Sequence, residues 1–326
     1  MALELSPGHR EIREAILRTC ARFDADYWLE KDRVGGFPVE LHRALAQEGW
    51  LGICIPQVYG GSGLGIAEAA VMMQAIAESG AGMSGASAVH MNIFGLNPVV
   101  AFGTEAQKQR MLPPLIAGEE RACFAVTEPD TGLNTTQLKT RAQREGDHYR
   151  VHGTKTFIST ASSVEKMLLL ARTTPLEQVK SRSEGLSLFY TTIDRACVET
   201  REIDKMGRKA VDTNQVFIDG LRVPVEDRIG EEGRGFHYIL HGMNAERILV
   251  GAEAVGLGRA ALARGVTPAV AVFSLSFWPQ APAEWSRDAA KTVVVDDELL
   301  KAASGLESPA PMGFLLELPE RPAVLP

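Results

Sequence analysis

The spacing of apolar residues changes twice along this chain of 326 residues, and those two changes constrain its fold more than any single motif does. Up to about residue 120 apolar positions recur every three or four residues, as in helices that each bury one face. Ser6 before Pro7 marks a helix start, because the hydroxyl can cap and proline needs no N–H in the first turn. Ile12, Ile16, Thr19 and Phe23 then share a face. Further helices are expected around Leu41 and Leu45 up to Trp50, over 66–77, over 87–100, and from Thr104, where Thr104 and Gln107 have capping-box spacing. From Arg121 the period becomes two, and strands are expected at 149–151, 155–158, 166–171, 186–192 and 215–218. Gly146 and the Asp219–Gly220 pair read as turns, and Pro224 stops the last strand. At Gly230, Gly233 and Gly235 the helical period returns, over about 236–264. The reading is an α+β chain: a helical domain (1–120), a small antiparallel β-domain (121–230), one long helix (231–266) and a divergent Pro-rich tail (267–326).

Charge and cysteine usage exclude several function classes. With 34 Lys plus Arg against 41 Asp plus Glu and no like-charge block, there is no electrostatic reason to expect a nucleic-acid or anionic-membrane partner. Cys20, Cys54, Cys123 and Cys197 lie far apart without a neighbouring His, which supports neither a zinc site nor a disulfide framework and favours a cytoplasmic setting. No targeting segment is expected at the start, and no membrane span: the apolar centre of the one uncharged stretch, 269–278, lies between Pro268 and Pro279 and is too short. The last 60 residues hold 8 of the 17 prolines but 2 of the 31 glycines. Within them 270–277 reads as an exposed strand and 289–303 as a short helix or strand.

Three features carry candidate chemistry. The run 124–132 leads a strand into a Thr- and Gly-containing loop, whose amides and hydroxyls suit a polar planar ligand; a plain strand-to-turn transition has the same pattern. Phe157 and Ser159 set an aromatic face beside a hydroxyl, which also describes core packing. Glu246 shares a helical stripe with Ile239, Met243, Leu249 and Val250, so desolvation would raise its pKa, as a base working near neutral pH requires. On the residues alone a solvated helix edge or an ion pair with Arg247 is the plainer account of it. The glycines of 60–65 do not keep G-x-G-x-x-G spacing and lie between helices, which disfavours a dinucleotide fold.

The run 124–132, the segment 153–159, Lys205-Met206-Gly207 with Asp212 and Thr213, the stretch 230–236, and upstream 56–65 and 103–109 together resemble the acyl-CoA dehydrogenase family, in order and at family spacing over 1–266. The resemblance implies a helical domain, a β-domain and a C-terminal helical bundle, with FAD between the last two. It implies Phe124, Val126, Thr127 and Gly132 as flavin contacts. Phe157 stands where the family packs a tryptophan on the ring, and Ser159 where a threonine faces flavin N5. Leu133 replaces a serine that in many relatives contacts acyl-CoA. Asn244, Glu246 and Arg247 match the isovaleryl and long-chain types, whose catalytic glutamate sits on the first bundle helix before an arginine; this implies Glu246 as catalytic base and Asn244 and Arg247 as substrate-binding residues.

The implied reaction is FAD-dependent α,β-desaturation of an acyl-CoA thioester, with an electron-transfer flavoprotein as acceptor. After Val266 the resemblance ends, leaving the bundle incomplete. The tail is expected to be a replaced or misassigned segment, with low solubility, little retained flavin and no secure homo-oligomer. The alternative is a non-catalytic chain that keeps the fold as a binding or subunit-mixing module.

Overall fold

The computed structural model describes residues 5–266, 268–281, 283, 289–304 and 312–316, which divide into one unit up to Leu257 and a second from Gly258 onward. The first unit begins with helices α1 (Pro7–Cys20), α2 (Ala25–Val34), α3 (Val39–Gln47), α4 (Ile66–Ile76), α5 (Gly82–His90), α6 (Asn97–Phe102) and α7 (Glu105–Ile116). Side chains accept from free first-turn amides at the starts of α1, α2 and α7. Ser6 Oγ accepts from the His9 amide at 3.2 Å, Asp24 from that of Tyr27 at 3.0 Å, and Thr104 and Gln107 form the expected reciprocal box at 2.8 and 3.2 Å. α2 was not anticipated, since of its ten residues only Trp28 is buried and no apolar stripe marks it. The helix expected over 87–100 is broken: α5 passes into a π-helical turn, Met91–Gly95, before α6. The wider turn inserts residues that a 3.6-residue pattern does not count.

The β part is one eight-stranded sheet of β1 (Ala122–Ala125), β2 (Arg141–Glu145), β3 (His148–Ser159), β4 (Lys166–Arg172), β5 (Leu186–Thr192), β6 (Val198–Glu202), β7 (Thr213–Pro224) and β8 (Arg228–Ile229). Most ladders are antiparallel as expected, but β1 and the start of β2 add to β4 in parallel. Two expected strands, 149–151 and 155–158, are one strand, β3. The expected turn at Asp219–Gly220 lies inside β7: Gly220 adopts φ 77° where the β3–β7 register shifts, so the glycine serves a bulge. Alternation along β4 divides the core. Leu168 and Leu170 join the cluster with the helices, whereas Met167, Leu169 and Ala171 join Val151 and Phe189 on the other face.

Helix α8 (Gly235–Ala263) starts tight against β5, where a Cβ on Gly235 would lie 2.5 Å from the Ser187 carbonyl carbon. Further along, a Cβ on Gly256 would lie 2.2 Å from the Gln74 carbonyl oxygen and 3.0 Å from Ala77 Cβ, so α8 and α4 pack backbone to backbone. Gly256→Ala is expected to push the helices apart and cost about 1–3 kcal/mol, seen as a lower midpoint in chemical denaturation.

The second unit contains β9 (Pro268–Ser274) between β10 (Lys291–Val295), parallel to it, and β11 (Met312–Leu316), antiparallel, with helix α9 (Asp297–Ser304) after β10. Of the strand expected to be exposed at 270–277, residues 270–274 lie in β9, paired on both edges with Ala271 and Phe273 buried, and 275–277 turn, with Leu275 exposed. The stretch 289–303 supplies both a strand and a helix. Among the described residues no helix is long and apolar enough to cross a membrane.

Candidate active site

A cavity of about 360 Å³ in the first unit is lined by α5, the π turn, the residues after β1, the end of β3 and α8. The loop after β1 owes its shape to one buried ion pair. Lys155 Nζ, fully buried in β3, donates to Glu128 Oε1 at 2.9 Å and to the carbonyls of Val126 and Leu170 at 3.0 and 2.7 Å. Glu128 also accepts from the amides of Lys139 and Thr140 at 2.7 and 3.0 Å. Burial raises the Glu128 carboxyl, but the Lys155 charge and these donors outweigh it and hold the group below its usual range. Burial draws the Lys155 ammonium down to about 8, which leaves it protonated at neutral pH. With the Lys155 ammonium and the Glu128 carboxylate both fully partnered, the loop carrying Val126, Thr127 and Gly132, which continues from Phe124 of β1, is fixed against the sheet, and the Thr156 amide adds a bond to Thr127 O at 2.9 Å.

The opposite edge comes from a second bulge. Register slips between Lys155 and Ile158, so both of these point inward while Phe157 is turned out at φ 58° and 66% exposure. A one-residue slip exchanges the faces of a strand. The non-glycine residues with positive φ among those described are Phe157, Thr160 and Arg208, and all three line this cavity. Such conformations cost about 1–3 kcal/mol each and gather where a site requires them. Ser159 lines it as well, and its Oγ accepts from Arg208 Nη2 at 3.4 Å, while Arg208 Nη1 donates to Ser87 Oγ at 2.9 Å.

Glu246 enters from α8 beside Met243 and Val250, with Ile239 and Leu249 of its stripe fully buried. Burial raises its carboxyl above the usual range, against the pull of His90 and Arg247 and with a push from Glu253. The ion pair with Arg247 does not form; Arg247 Nη1 donates to Asn244 Oδ1 at 2.7 Å. Seven residues singled out in sequence, Phe124, Val126, Thr127, Gly132, Phe157, Ser159 and Glu246, thus line one cavity. Asn244 and Arg247 are exposed on α8 outside its lining, and Leu133 is 95% exposed. Sequence reasoning missed Ser87, His90 and Arg208, which reach the cavity through contacts between segments more than a hundred residues apart and carry no local signal.

Comparison with known proteins supplies the wider context. Residues 6–119 match the family model described as acyl-CoA dehydrogenase, N-terminal domain, and residues 123–221 the one described as acyl-CoA dehydrogenase, middle domain. The chain is 31% identical over 264 residues to acyl-CoA dehydrogenase fadE12 of Mycobacterium bovis, covering 80% of this chain and 66% of that protein. It is 30% identical to mitochondrial isovaleryl-CoA dehydrogenase of Pongo abelii, covering 79% and 61%. The chain therefore spans less than two thirds of these curated relatives. A crystal structure of a probable acyl-CoA dehydrogenase from Mycobacterium abscessus superposes with a TM-score of 0.73 at 31% identity, covering 79% of this chain and 68% of that one. From the paired helical and β-domain matches, the shared fold and these identities, the chain belongs to the acyl-CoA dehydrogenase family, which are flavin-dependent oxidoreductases.

Proposed function

We propose that this chain catalyses α,β-desaturation of an acyl-CoA thioester, with Glu246 as the base that removes the α-proton. The observation that carries the proposal is the meeting, in one cavity, of a half-buried carboxylate from α8 with the strand-derived residues expected to hold flavin. Its volume of about 360 Å³ lies within the ~300–1,000 Å³ usual for cofactor and small-molecule sites. The lining fits a planar polar ring: an exposed aromatic face at Phe157, hydroxyls at Thr127 and Ser159, and no side chain at Gly132. Phe124, Val126, Thr127, Gly132, Phe157 and Ser159 would hold FAD, which when bound supplies the hydride acceptor.

The residues of the chain then divide the remaining work. Glu246, raised by burial, binds a proton more firmly than an exposed carboxylate and so is the stronger base. Glu246 from α8 and the flavin residues from β3 would act on opposite sides of the substrate, one removing the proton and the other receiving the hydride through the bound cofactor. Asn244 and Arg247, exposed within a turn of Glu246, would meet the CoA portion outside the cavity. An electron-transfer flavoprotein would receive the electrons.

A second reading rests on the outer face of α8. Ile248 and Val255, one above the other at i and i+7, are 49% and 53% exposed, the surface of a helix built for further neighbours. On this reading the chain is a non-catalytic binding or subunit-mixing module. With FAD supplied, anaerobic addition of acyl-CoA thioesters of several lengths is expected to bleach the visible flavin absorbance. Failure to bind FAD at all would favour the second reading.

A further inference from the structure

One pair of ionisable side chains beside the cavity has no part in the scheme above. Glu253 lies seven residues beyond Glu246 on α8, two turns and about 10 Å along the same face. Its carboxylate is fully buried, and Oε1 lies 3.1 Å from His90 Nδ1 of α5. Its other oxygen, Oε2, is buried without a hydrogen bond among the described residues. Burying a carboxylate is costly unless a positive or donating group is held against it. His90 is that group, and it lines the same cavity as Glu246.

With Glu253 as a carboxylate, which can only accept, the proton of this contact sits on Nδ1, and Nε2, which makes no hydrogen bond among the described residues, is the nitrogen left for the cavity. The edge contact of the ring with Phe94, centroids 5.1 Å apart, fixes its plane. We propose that Glu253 and His90 form a positioning pair for Glu246, in which Glu253 anchors the imidazole and the imidazole, charged when protonated, holds Glu246 as the carboxylate that the reaction needs. The proposal rests on the reading of Glu246 as base.

The other charges facing Glu246 are Arg247, which also favours the carboxylate, and Glu253, which opposes it directly. Arg208, from the loop between β6 and β7, interacts with Glu253 in turn. Glu253 thus acts on Glu246 in two ways: repulsion across two helical turns, and, through the contact with Nδ1, placement of the His90 ring that favours the Glu246 carboxylate. The two have opposite signs, and only the second requires the histidine.

A double-mutant cycle separates them. The readout is the carbon-13 titration of the Glu246 carboxyl in glutamate-labelled chain, its signal assigned by loss in Glu246→Gln. This needs neither flavin nor acyl-CoA, so a failed dehydrogenase assay leaves it interpretable. His90→Gln and His90→Phe are each expected to raise the apparent Glu246 pKa by about one pH unit, the lower end of the effect of a nearby opposite charge. Phe preserves a ring beside Phe94, so agreement between the two variants excludes repacking as the cause. Glu253→Gln is expected to lower the Glu246 pKa in the His90→Gln background, and to lower it less, or raise it, in the chain that retains His90. The same displacement would appear in the acid limb of the flavin-bleaching rate. Additive shifts, or no shift in either His90 variant, would overturn the proposal.

Discussion

Glu246→Gln is expected to slow bleaching of bound flavin by acyl-CoA by about 10²–10⁴-fold, the range for loss of a positioned base, while flavin binding is retained. The amide keeps the shape of the side chain and removes only its capacity to take a proton. None of the residues proposed to hold the flavin is touched, so the oxidised spectrum should be unchanged. Stability should move the other way from activity. Burial holds the folded-state pKa of Glu246 above the unfolded value, so the folded chain binds the extra proton over that window. This contribution is fully present below the unfolded pKa of an ordinary glutamate and is lost as pH rises through the raised value. Above the raised value the wild-type chain therefore carries a half-buried charge that Gln lacks. The variant should unfold at a higher denaturant concentration at pH 7, and the gap should close in acid. An equally active variant would remove Glu246 from the chemistry; an inactive and less stable one would point to a structural role for the carboxylate.

What the sequence reveals about this site follows from how local each device is. The caps at Ser6 and Thr104, and the placing of Glu246 among Ile239 and Leu249, depend on residues within one or two turns, and they are where the pattern puts them. The return of the helical period after the glycines at 230, 233 and 235 is equally plain, because it is carried by the spacing of residues within the helix itself. The devices that shape the cavity are of another kind. The π turn at Met91–Gly95 and the bulges in β3 each change the count of residues against a partner, and no intrastrand or intrahelix pattern records the partner's count. Phe157 could be named from sequence as an aromatic beside a hydroxyl, yet its outward turn is a property of the β3–β7 register. Lys155 shows the limit most clearly. A lysine in an alternating strand reads as solvent-facing, whereas here it is fully buried, because its three acceptors lie on β4, the loop after β1 and Glu128. The second unit differs for the same reason: a β-prone stretch such as 270–274 becomes a central strand only through partners elsewhere in the chain.

Lys155→Met is expected to destabilise the first unit by about 3–5 kcal/mol, as when one member of a buried pair is removed, and to weaken flavin binding in parallel. Methionine matches the stem of lysine in volume, so the loss is electrostatic rather than a cavity. It leaves Glu128 buried as a carboxylate with two amide donors and no cation bonded to it, and leaves the Val126 and Leu170 carbonyls without their shared donor. The pH dependence identifies the cause. In the wild-type chain Glu128 is held below its unfolded pKa, so its contribution is present above that value and is lost as pH falls through the lowered one. Without Lys155 the Glu128 pKa rises, and the variant should lose less of its remaining stability on acidification. Adding Glu128→Gln removes the stranded charge, and the double variant should recover part of the loss at neutral pH. Denaturant midpoints of the four chains, measured across the acid range, test this together with FAD titrations. Additive losses would show that the pair is not coupled. A Lys155→Met chain that loses stability but binds FAD normally would show that the loop 126–132 keeps its shape by other means, since Val126 and Thr127 reach the cavity only through the backbone that Lys155 holds.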